Sequence, residues 1–159
     1  MKNNKLSKSF SRYGAIQALY NLNFTEDFGQ IKRNFSENED CFLYVDFKNK
    51  LNERKFNRGY LLKILNTYED KRLTINELIQ KNLYENWNIE RLPKVLLSII
   101  RVAVAEMLVS PRISIGIIVS EYLIFTESFF TDKECSFINA ILEKIFLELK
   151  ENERRTTNN

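Results

Sequence analysis

The chain has 159 residues, a formal net charge of +3 and no histidine. The missing histidine excludes the usual catalytic triads, most zinc patterns and the default general base. Only 4 Gly and 2 Pro against 44% hydrophobic residues argue for a mostly helical domain with a real core, not a fold built on many tight turns.

The N-terminal stretch MKNNKLSKSFSR is basic but has no apolar core, so it is not a signal peptide. Residues 1–23 hold Lys2, Lys5, Lys8 and Arg12 and no acid, so the positive excess belongs to this end. A basic arm over 1–12 is expected, of the kind found on nucleic-acid binders, or else a solvated tail.

A first helix is predicted over 9–23, with Ser9 or Ser11 as cap and Tyr13, Ile16, Leu19 and Tyr20 near helical spacing. A second covers 26–36. Residues 37–53 are polar, and SENED reads as loop. CFLYVDF (41–47) has no partner strand and is taken as irregular or helical. Helices follow over 54–70 and over 73–84, the latter with Thr74 and Glu77 as a capping box.

YENWNIE (84–90) breaks the pattern. A long apolar helix runs from 92 to a stop near Ser110-Pro111, another from Ser114 to about Phe130, and a last from Thr131 or Asp132 to about Lys150. The prediction is an all-α fold of about seven helices. Residues 1–150 form one domain, and 151–159 a polar, disordered tail. No run of about 18 uncharged apolar residues occurs, so no membrane span is expected and a cytoplasmic location is. Cys41 and Cys135 show no CxxC spacing and read as small apolar residues in a reducing compartment.

No phosphate-loop, dinucleotide, nucleophile-elbow or metalloprotease motif is present. No catalytic residue, metal site, cofactor or small-molecule substrate is predicted. The 20 aromatics are mostly core, with Tyr13, Tyr20 and Tyr84 as candidates for stacking on bases or for partner contact. From the residues alone the chain is an all-helical binding module, with nucleic acid favoured by its basic arm.

One apolar helix raises a separate question. Between Leu92 and Leu108 lie Arg101 and Glu106, deep in the run, where an unpaired charge is expensive. Five residues apart, they stand about 140° around the helix and cannot pair with each other.

Trp87, Arg91-Leu92, Arg101 and Glu106 together resemble the central signature of the NusB family of bacterial transcription antitermination factors. RYGAIQALYNLNF (12–24) is similar to the family's first helix in Arg12, Ala15, Gln17, Ala18, Leu19 and Tyr20. IVSEYLIFTESFFTDKECSFINAILEKI (118–145) resembles its closing pair of helices in Glu121, Phe129, Phe137, Asn139, Leu142 and Lys144. The chain departs from the family pattern at Ser120, Glu127, Lys133 and Ala140, and Leu96 stands where some members have an acid.

The resemblance implies an all-α fold of two small packed bundles and no catalysis. It implies binding to boxA-type ribosomal RNA together with the small-subunit ribosomal protein NusE, within the antitermination complex on RNA polymerase. Lys5, Lys8 and Arg12 are expected on RNA phosphates and Gln17 on a base. Tyr20, Tyr84 and Glu90 match positions used at or near the protein partner. Arg101 and Glu106 are expected to be paired on different helices, with Glu121 and Asn139 as partners. Two other readings are an RNA-binding domain associated with ribosomal RNA methylation and an all-α adaptor without an RNA role. The first is disfavoured because no cofactor-binding domain accompanies the helices.

Overall fold

The computed structural model describes residues 2–37 and 57–157, with side chains for 7–36 and 57–157. Cys41, the CFLYVDF segment, most of the predicted 37–53 loop and the side chain of Lys5 lie outside the described residues.

Seven α-helices are present and no strand among the described residues: α1 (Lys2–Asn21), α2 (Phe28–Glu37), α3 (Arg58–Asp70), α4 (Arg72–Asn82), α5 (Lys94–Val109), α6 (Ile115–Glu127) and α7 (Asp132–Thr157). A one-turn 3-10 helix, Ile89–Arg91, precedes α5. The helices form two bundles that share α5. On one side α1, α2 and α3 pack on each other, and α1 and α3 rest on α5. On the other, α4, α6 and α7 surround it. Helix α5 is therefore buried nearly all round: Leu96–Ile100 and Val102–Met107 are inaccessible or almost so. An all-round apolar helix is stable only as the centre of such an arrangement.

Local chemistry explains several helix ends. Asn57 accepts from the Tyr60 N–H at 3.0 Å to start α3, and Ser114 accepts from the Ile117 N–H at 3.3 Å to start α6. Before α7, the Thr131 N–H donates to Glu134 Oε2 at 3.1 Å. Acidic Asp132 and Glu134 open α7, and Arg154 and Arg155 close it, in line with its dipole.

Several boundaries differ from the predicted ones, among them the start of α3, which lies at Arg58 behind its Asn57 cap and not at 54. Helix α1 begins at Lys2, so most of the expected arm is helical. No Pro or Gly interrupts residues 2–13, and Phe10 packs into the fold. Neither Ser9 nor Ser11 is a cap: both lie inside α1 and are buried. Ser11 Oγ donates to the Asn57 carbonyl at 2.7 Å and accepts from its N–H at 3.0 Å, tying α1 to the start of α3. Helix α4 begins at Arg72 behind Lys71, which makes no side-chain cap, so the Thr74–Glu77 box does not form its start. Helix α7 continues to Thr157 rather than fraying at 150, partly because Lys150 ties back to the Pro111 carbonyl.

Candidate RNA and partner surfaces

Among the described residues Glu106 is a charged side chain with no exposed surface. Arg12 of α1 donates from Nε to both its oxygens, at 2.7 and 2.9 Å. Tyr122 of α6 donates to Oε1 at 2.8 Å, and Tyr60 of α3 donates to Oε2. Arg12 also reaches Glu121 of α6 at 3.2 Å, and Glu121 accepts from Ser9 at 2.8 Å. Four helices thus converge on one carboxylate whose lone pairs are filled, the condition under which a buried charge is tolerated.

Titration follows from this geometry. Burial alone would lower the Arg12 pKa, but the hydrogen bond and charge of Glu106 more than reverse it, and the guanidinium stays charged. Burial, with the negative charge of Glu106 behind it, pushes Tyr60 up to about 12. The same two causes raise Tyr122 well above its ordinary value.

This network corrects two expectations. Arg12 is 4% exposed and withdrawn from the surface, so it is a core residue and not a phosphate contact. The signal lay in its spacing: Arg12, Ile16 and Leu19 are four and three apart on one buried face. Arg101 and Glu106 do turn to different helices, but neither meets Asn139, which is half-buried on α7. Glu121 joins Glu106 only through Arg12. Arg101 instead donates to Asn76 of α4 at 3.0 Å and lies over the Tyr68 ring, 5.8 Å from its centroid. Sequence reasoning missed Tyr60, Tyr122 and Asn76 because helical periodicity does not say which faces meet.

Of the remaining RNA candidates, Lys8 is half-buried, its amine 5.1 Å from the centre of the Tyr60 ring. That ring therefore has a surface lysine on one side and its hydroxyl in the core. Gln17 is half-buried.

The partner candidates fall on two aromatic clusters flanking residues 84–94. In the first, the half-buried Tyr20 meets the exposed Phe24 edge-on at 5.4 Å, and the Lys94 amine covers Phe24 at 5.3 Å. In the second, Tyr84 (62% exposed) meets Trp87 (45% exposed) edge-on at 5.5 Å, and Trp87 lies 5.7 Å from Phe137. The Lys144 amine sits 5.4 Å from the Tyr84 ring centre. Glu90 is exposed in the 3-10 turn between them. Gln80 of α4 fixes this connector, donating to the Trp87 carbonyl at 2.7 Å and accepting from the Ile89 N–H at 2.9 Å.

Trp87, Leu92, Pro93, Leu96, Lys133 and Phe137 line a groove of about 500 Å3. It adjoins a hollow of about 300 Å3 bounded by Tyr84, Trp87, Phe137, Lys133 and Lys144. Leu96 is 3% exposed, so it forms the groove's floor and not an open apolar surface. Among the described residues no group of acidic, cysteine or histidine side chains could hold a metal ion, and no helix is long and apolar enough to cross a membrane.

Comparison with known proteins agrees with this architecture. The "Transcription antitermination protein NusB" of Clostridium botulinum is 30% identical over 141 residues, covering 88% of this chain and 98% of its own. That of Rickettsia bellii is 30% identical over 156 residues, covering 94% and 97%. Among solved structures, T. maritima NusB superposes with a TM-score of 0.69 at 22% identity, covering 89% of this chain and 91% of that one. A chain in the crystal structure of a plectonemic RNA supercoil superposes with a TM-score of 0.71 at 19% identity, covering 90% and 96%. At these identities the two structures speak to the fold. The NusB family model matches residues 9–146, most of the chain, and on that ground the chain belongs to the NusB family.

Proposed function

We propose that this chain is a non-catalytic transcription antitermination factor that acts in the cytoplasm, binding boxA-type ribosomal RNA together with the ribosomal protein NusE in the antitermination complex on RNA polymerase. Family membership and the names of its relatives support the antitermination role. The observation that carries RNA binding is the groove between α7 and the 84–93 connector. Exposed Trp87 stands beside Phe137, with Lys133 and Lys144 on the same rim. Flat aromatic faces next to ammonium groups suit splayed bases and their phosphates, which is how single-stranded RNA is generally held.

The N-terminal turns of α1 supply a second basic element. Lys5 and Lys8 are assigned to phosphates, without Arg12, and Gln17 to a base. Tyr20, Tyr84 and Glu90 are assigned to the protein partner. Tyrosine covers much area with few rotors and keeps a polar tip, which suits an interface.

The test is a titration of the full chain with boxA-type single-stranded RNA, with and without the ribosomal partner. Anisotropy of the RNA and fluorescence of Trp87, the chain's single tryptophan, are followed together. Saturable binding with a change in Trp87 emission is expected. No binding in either condition would overturn the reading.

A further inference from the structure

Arg101 is the one strongly desolvated cation whose charge the fold leaves unanswered among the described residues. Its Nε is used by Asn76, but its two terminal nitrogens have no protein acceptor. The Tyr68 ring below it offers only a face, and the Tyr68 hydroxyl, itself buried, has no hydrogen-bond partner. Burial lowers the Arg101 pKa; Tyr68 acts against that shift, and the charge of Arg72 acts with it. Arg72 stands one turn before Asn76 on α4, is exposed, and has no ion pair. Arg72 is thus four residues from the side chain that holds Arg101, on the same helix, and among the described residues no acidic side chain pairs with either guanidinium. Arg12, by contrast, has two carboxylates, Glu106 in the core and the half-buried Glu121.

Holding like charges together around a half-buried donor costs free energy unless an anion completes the site. A guanidinium with both terminal nitrogens free presents the flat fork that matches a phosphate. The surroundings fit a polyanion. Lys94 lies two turns before Arg101 on α5, exposed and without an ion pair, and it reaches Phe24, a 66% exposed ring.

We propose that Arg101 and Arg72, oriented by Asn76, form a phosphate site that takes a backbone phosphate of a bound RNA strand. This rests on the RNA-binding reading above and adds a contact on the α4–α5 face, apart from the Trp87–Phe137 groove. Lys94 and Phe24 extend the same track toward Tyr20.

The experiment uses the full chain and single-stranded RNA over a range of salt concentrations, comparing wild type with Arg72→Gln and Arg101→Lys. Because Arg72 is exposed, its variant is expected to keep the wild-type circular dichroism and melting temperature. It is expected to bind RNA several-fold more weakly and to lose about 0.7 from the salt slope, one contact's worth on a single strand. Arg101→Lys keeps the charge but not the fork and is expected to weaken binding with little change in slope. In parallel, the Arg101 side-chain Nε–Hε resonance is followed with RNA and with inorganic phosphate, and should shift with RNA. RNA binding with affinity and slope unchanged in both variants overturns this proposal and leaves the RNA reading standing. A resonance that responds to inorganic phosphate but not to RNA also overturns it, as does loss of protein-partner binding alone. Failure of the wild type to bind RNA overturns both.

Discussion

Arg12 and Glu106, 94 residues apart in sequence, meet through two hydrogen bonds of 2.7 and 2.9 Å at the point where the two bundles join. One residue comes from the basic N-terminal helix and the other from the shared central helix. The position of α1 over α3, α5 and α6 is fixed at this point.

Arg12→Ala should therefore act as a core mutation. It strands Glu106 without its cation, and a loss of about 3–5 kcal/mol is expected. Urea unfolding followed by circular dichroism measures it. Removing both charges in Arg12→Met, Glu106→Leu is expected to recover part of the loss, since the fully buried carboxylate is no longer stranded, while Glu121, with a side chain 13% exposed, keeps the hydrogen bond from Ser9. Wild-type stability in Arg12→Ala would mean that the pair is not formed.

The tyrosines around Glu106 set an alkaline limit. Tyr60 is raised to about 12 by burial and then by Glu106. In the unfolded chain it titrates near 10. Between these values the folded state holds more protons than the unfolded one, so stability is full below about pH 10 and falls as pH rises toward 12. Tyr60→Phe should flatten that fall while lowering stability at neutral pH, because Glu106 loses a donor. Unfolding curves from pH 8 to 12 for both proteins show it.

The basic end of α1 is tested by Lys5→Ala with Lys8→Ala. RNA affinity should drop for all sequences alike, and the salt slope should fall by about 1.4, two contacts on a single strand. Melting temperature should stay close to that of wild type, since Lys8 contributes only a partly exposed contact with the Tyr60 ring. An unchanged slope would remove α1 from the RNA surface.

For the protein partner, Tyr20→Ala and Tyr84→Ala should each cost about 1–2 kcal/mol of affinity with helical content intact. Tyr84 is the cleaner probe, being 62% exposed, whereas Tyr20 also supports Phe24. Calorimetric titration with the ribosomal partner reads the effect. Normal affinity in the folded double variant would place the interface elsewhere.

In the groove, Phe137→Ala should weaken RNA binding by about 1–3 kcal/mol if a base stacks there. It should also alter Trp87 emission without RNA, because the two rings are 5.7 Å apart. A changed emission with unchanged RNA affinity would leave the ring pair structural.

Helix number, helix order and the apolar character of α5 were legible in the sequence, because each rests on local information. Apolar spacing, the Ser114 cap and the Ser110-Pro111 stop act within a few residues of themselves. The family resemblance was legible for a similar reason: its residues sit at fixed offsets within single helices. The pairing of charges was not. Arg12 looked like part of a basic arm because its neighbours in sequence are lysines, yet the turn of α1 aims it at α5. Arg101 looked like a core ion pair because its neighbours are apolar, yet it emerges beside Arg72 without an acid. A charge's partner is chosen by which helix faces meet, and those faces meet only when the bundles close around α5. The tertiary structure alone decided which cation the core pairs with a carboxylate and which it leaves without an acid.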